Sequence, residues 1–208
     1  MEMHALPSAS ELSDRVRAAI DATEWFPRPR DRTRQLKQRV WQLGFDLASE
    51  YGVALYPFAA VGPDLADYAR GRLEERLAHF WPYPEEQSTL KEWVYDVAWA
   101  TFGGEYAAYS DDRHTAERAP VFERLVLALE SELNPNWPRW HVLTDFNKLL
   151  CARADLRVMV WDGDALDDGF ELLEPRLPEA VGADEGWWLL SAWRSNGFEH
   201  RVYPRATP

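Results

Sequence analysis

The chain contains a single cysteine, Cys151, among 208 residues, so no internal disulfide is open to it. A lone thiol fits a reducing compartment, and a cytoplasm is the expected setting. No apolar run approaches the roughly 20 residues that a membrane-spanning helix needs. The first residues, MEMHALPSASELSDR, lack the basic start and apolar middle of a secretory signal. Positive charge is also scarce: 23 Lys and Arg stand against 35 Asp and Glu, a net charge of −12. Broad nonspecific binding to a phosphate backbone needs basic surface, so it is excluded as a property of the whole chain. There is no Gly-rich phosphate loop, because Gly103 and Gly104 are not followed by the required spacing. The five histidines (His4, His79, His114, His141 and His200) show no zinc spacing.

Apolar side chains are plentiful. A hydrophobic content of 46%, with 13% aromatics, is ample for one packed domain over residues 1–208. Residues 10–22 predict a short helix with a Ser cap, and WFPRPRD is a proline-broken connector. Over 32–51, Leu36, Val40, Leu43, Leu47 and Tyr51 recur at helical spacing, and Gly52 supplies a stop. A second amphipathic helix is expected over 65–80. Strands are expected over 92–102, in a short stretch after Gly104, and over 121–133 and 155–163, with a Thr-capped helix over 144–154. A weakly helical stretch follows, then a terminal strand pair around SNG, a good hairpin turn. This order suits an α/β or α+β sandwich: a mixed central sheet flanked by helices.

One local charge pattern departs from the acidic average. Arg28 to Arg39 holds Arg28, Arg30, Arg32, Arg34, Lys37 and Arg39 against only Asp31. It reads either as a solvated helix start or as a phosphate-contacting edge, with Arg32, Arg34 and Lys37 as the contacts.

The stretch LALESEL (127–133) raises a sharper question. Strand side chains alternate faces, so Leu125, Leu127, Leu129, Ser131 and Leu133 share one face and Val126, Ala128, Glu130 and Glu132 the other. Two carboxylates on a buried face are costly unless a cation or solvent meets them. In EWVYDVAW the same alternation places Asp96 beside Val94 and Ala98, repeating the pattern. If the two strands are neighbours with these faces aligned, Asp96, Glu130 and Glu132 form one acidic cluster that must raise its pKa values or share a cation. Oxygen-only ligands suit Mg²⁺ or Mn²⁺. From the following helix, Lys148 can neutralise the cluster, or it can form an ordinary i,i+3 surface pair with Asp145.

The set EWVYDVAW, LALESEL and DFNKLLCARADLRVMVW resembles the restriction-endonuclease-like superfamily, the PD-(D/E)XK nucleases. Their core runs helix, three strands, helix, strand, with an acid in the second strand and (D/E)-x-K in the third. The resemblance implies a nuclease-like core over 32–162, an N-terminal helical extension over 1–31, and a C-terminal helix and strand pair over 163–208. It places Asp96 and Glu130 as metal-holding acids, with Glu132 as ligand or base, Lys148 as the cation, and Glu50 as an extra acid. Tyr95 stands where the motif has proline, and Glu132 replaces its lysine. The resemblance further implies Mg²⁺ or Mn²⁺, a nucleic-acid substrate with DNA ahead of RNA, and a homodimer where both strands are cut. The competing reading is a non-catalytic acidic protein, of immunity or antitoxin type, whose exposed acids cap a basic partner, with Trp137, Trp140, Trp187 and Trp188 as anchors. Cys151 is expected to be a buried structural thiol.

Overall fold

The computed structural model describes residues 6–24, 28–53, 55–59, 95–109, 116–136, 139–179 and 186–204. Among these, α1 (Ala9–Asp21), α2 (Pro29–Tyr51), β1 (Leu55–Ala59), β2 (Val97–Tyr109), β3 (Ala116–Glu132), α3 (Arg139–Leu150), β4 (Ala154–Asp162), α4 (Gly169–Leu173), a 3₁₀ turn (Glu174–Glu179), β5 (Trp187–Arg194) and β6 (Gly197–Tyr203) follow in order. The expected helix over 65–80, residues Glu92 to Val94 and Trp137 lie outside the described residues. No helix among the described residues is long and apolar enough to cross a membrane.

The six strands form one mixed sheet in the order β1-β2-β3-β4-β5-β6. Pairing is antiparallel from β1 to β3, parallel from β3 to β5, and antiparallel again for β5 and β6. The parallel pair β3–β4 needs a crossover, which α3 supplies. Helices cover both faces. Leu36, Val40 and Leu47 of α2 bury fully against Trp99, Leu127, Leu129 and Val158, together with Leu12, Val16 and Ile20 of α1. Each such side chain contributes about 1.5–3 kcal/mol of transfer free energy. On the other face, Phe146 and Leu149 of α3 and Phe170 and Leu173 meet Ala128, Met159, Trp161 and Leu190. Gly44 lets α2 approach closely, since a Cβ there would lie 2.6 Å from Pro57 Cγ and 2.8 Å from Trp99 Nε1.

Several boundaries differ from the sequence reading, each for a local reason. Ser8, not Ser10, caps α1 by accepting the Glu11 N–H. Helix α3 opens five residues early, and Thr144 donates to Trp140 O inside it instead of capping. The two strands expected between 92 and 120 are replaced by one 13-residue strand, β2, paired along a longer β3. Helix α1 shares a core cluster with α2 and the sheet. Helix α2 ends as expected, with Gly52 in the left-handed region at φ 62°.

A candidate site at the carboxyl ends of the parallel strands

Strand alternation holds over the part of β3 that matters. Leu127, Leu129 and Leu133 pack toward α2, while Ala128 packs toward α3. It fails just upstream: β2 pairs Trp99 with Leu127 but Ala100 with Leu125. That bulge leaves Val126 unpaired, sending it to the α2 side and Leu125 to the α3 side, the reverse of the expected faces.

Glu130 and Glu132 end the strand on the α3 side. They are only 2% and 6% exposed. Lys148 of α3 comes to 3.2 Å from Glu130 Oε1 and 2.8 Å from Asp145 Oδ1. Glu130 Oε1 is thus buried against the lysine ammonium, which is shared with Asp145. Burial, then repulsion from Asp96 and Asp145, push the Glu130 carboxyl up to about 8 against the pull of Lys148. Burial likewise pushes Glu132 up to about 7, although the Asn134 N–H bonds its Oε1 at 3.1 Å and Lys37 attracts it. Burial works against the Lys148 ammonium, but Asp145 and Glu130 outweigh it and hold its pKa above the ordinary value. The acids thus exchange protons near neutral pH, beside a fixed cation. This is what general acid–base work requires, and perturbed groups of this kind cluster at functional sites.

Asp96 corrects the sequence reading. It lies not in mid-strand but in a bend, Tyr95–Asp96, immediately before β2. The bend reverses the alternation: Tyr95 packs toward α3, while Val97 and Trp99 pack toward α2. The Asp96 carboxylate turns to the α2 side of the strand end. Its Oδ1 accepts Lys37 Nζ at 2.6 Å, and its Oδ2 accepts Ser131 N–H at 2.9 Å and Ser131 O–H at 2.7 Å. It stays close enough to raise both glutamates by repulsion. The expectation that Asp96 shares a face and an ion with Glu130 is therefore not met. Among the described residues, no three His, Cys, Asp or Glu side chains are grouped to hold a metal ion.

Compared with family models, curated proteins and solved structures, the chain matches none.

The remaining expected residues divide. Lys37 joins the site as the partner of Asp96. Arg32 is only 7% exposed and lies 3.7 Å from Asp162 at the end of β4, so it lines a recess and not the outer surface. Arg34 is exposed. Glu50 pairs with Arg15 at 2.7 Å on the surface and takes no part in the cluster. Cys151 is exposed, where a buried thiol was expected. Ser131 and Asp162 were missed. Asp162 carries a readable signal, an Asp-Gly step closing an apolar parallel strand, whereas Ser131 carries none because its role depends on where β2 bends.

Proposed function

We propose that the chain is a metal-dependent nuclease on a restriction-endonuclease-like core, hydrolysing phosphodiester bonds at the carboxyl end of β3. The observation that carries this reading is Glu130: a nearly inaccessible carboxyl facing the Lys148 ammonium at 3.2 Å, with Glu132, Asp96 and Asp145 close enough to interact with it or with each other. Among the described residues, α2, β1, β2, β3, α3 and β4 follow in the order that the resemblance implies, with 60–94 outside them.

The all-oxygen donor set fits Mg²⁺ or Mn²⁺ in chemistry. Glu130 is the residue that would hold such an ion, with Glu132 as a second ligand or as base; Asp96 stays engaged with Lys37 and Ser131 on the α2 side. Bound there, the ion supplies a water of lowered pKa and neutralises charge on the phosphate. The protein supplies the rest. Where it does not ligate the ion, Glu132 would accept the proton of the attacking water. Lys148, held by Asp145, places a positive charge against developing negative charge. Lys37 occupies the position from which a second cation would act.

The capping alternative would have to use acids other than Glu130 and Glu132, which are buried, with the exposed Trp140 as an anchor. The direct test is incubation with plasmid, single-stranded DNA and RNA, with Mn²⁺ or with EDTA. Cleavage is expected with Mn²⁺ alone and should fall by about 10³-fold in Glu130→Gln. Cleavage that survives in that variant removes Glu130 from the reaction.

A further inference from the structure

Beside the carboxylates lies an open cleft of about 530 Å³, lined by Arg32, Pro135, Asp162, Trp193 and Ser195 among others. It sits outside the carboxyl ends of β4 and β5, where Asp162 and Trp193 stand. Pro135, three residues past Glu132, joins it to the site described above. Crevices at the carboxyl ends of parallel strands are where open α/β sheets bind ligands.

Its defining residue is Arg32. The side chain is 8% exposed, and its Nε is buried without a hydrogen bond. Asp162 approaches Nη1 at 3.7 Å, beyond hydrogen-bonding distance, and spends its Oδ1 on the N–H groups of Asp164 and Ala165. The guanidinium also lies 5.8 Å from the centroid of the Trp193 ring, which packs edge-on against Phe198. Arg32 is therefore compensated in charge and held in place, yet its fork of donors is unspent. A buried guanidinium donor left unmet is costly, and a planar fork of this kind matches two oxygens of a phosphate.

We infer that the Arg32 cleft is a phosphate subsite. Resting on the nuclease reading, it takes a further backbone phosphate of the strand that is cut. Arg32 and Lys37 are five residues apart on α2, about 7.5 Å of helix. A strand whose scissile phosphate meets the carboxylates would pass Pro135 to bring a further phosphate to Arg32. Asp162 positions the arginine and disfavours ligands of higher negative charge.

The test measures binding of a fluorescent single-stranded oligonucleotide in EDTA, where no cleavage occurs, at several salt concentrations. Arg32→Gln is expected to weaken binding about tenfold and to reduce the salt slope by about one. Glu130→Gln is expected to bind at least as tightly as the wild type. Equal affinity and slope in Arg32→Gln overturn the subsite. If that variant does not fold, the Nε–H resonance of Arg32 in the wild type decides: a saturable shift on adding oligonucleotide supports the subsite, and no shift overturns it. Inorganic phosphate and a nucleoside monophosphate form the second arm. Saturation by these, with no response to oligonucleotide, overturns the backbone assignment. Arg32-dependent binding without metal-dependent cleavage by the wild type leaves the subsite standing and removes the nuclease reading.

Discussion

The two ends of the parallel strands bury the same kinds of charged side chain under opposite conditions. At the amino ends, Arg157 is fully buried, donates Nε–H to Ala152 O at 2.6 Å and lies against the ring of Trp188. Gly186 lets the chain pass over it, since a Cβ there would lie 2.7 Å from Nη1. Asp155 nearby takes Arg124 at 2.8 and 2.6 Å. At the carboxyl ends, Glu130 Oε1 is buried against the Lys148 ammonium, and Arg32 Nε is buried with no hydrogen bond. Burial alone therefore does not separate structural charges from functional ones. What separates the two arginines is narrower: Arg157 donates its Nε–H to Ala152 O, whereas the buried Nε of Arg32 has no hydrogen bond.

The contrast can be broken most forcefully at Glu130. Beyond the loss of cleavage, Glu130→Gln should raise stability at pH 8 by about 1–3 kcal/mol, because a costly buried charge is removed. Urea unfolding that shows a loss instead would mark Glu130 as structural. The two buried arginines offer the next comparison. Arg157→Met should cost about 3 kcal/mol, and Arg32→Met about 1, since only the first gives up a hydrogen bond. Equal losses in parallel melts would erase the distinction between the ends.

A pH series sharpens it further. Folded-state values near 8 for Glu130 and 7 for Glu132 lie above the ordinary 4.5. The native state thus binds protons more tightly than the unfolded chain. This stabilisation is complete below about pH 4.5 and is lost as the pH rises through 7 and 8. The decline should amount to about 2–5 kcal/mol and should flatten in Glu130→Gln/Glu132→Gln. A decline unchanged in the double variant would place its origin elsewhere. The smallest effect belongs to Arg124→Ala, under about 1 kcal/mol, because that arginine is largely exposed. A larger loss would show that Asp155 depends on it.

Much of the frame was legible in the chain. Apolar spacing marked α2 and its stop, and the alternation of Leu127, Leu129 and Leu133 set Glu130 and Glu132 apart on one face. The two acids drew attention because strand interiors rarely tolerate them. The bend at Tyr95–Asp96 was not legible, since it follows from where β2 stops pairing with β3. Its partner Lys37 is 59 residues away, in a basic run that resembles any solvated helix start. Arg32 was hidden for the same reason: one arginine among five looks like its neighbours until the sheet covers it.

Local periodicity and the cost of an apolar–polar mismatch were therefore enough to predict helices, strands and a pair of unusual glutamates. These depend on contacts within a few residues, which the sequence states directly. Which charges are spent and which are left open was decided only by the folded sheet. That outcome depends on the distances among α2, β3, α3 and β4, elements whose meeting no local pattern encodes.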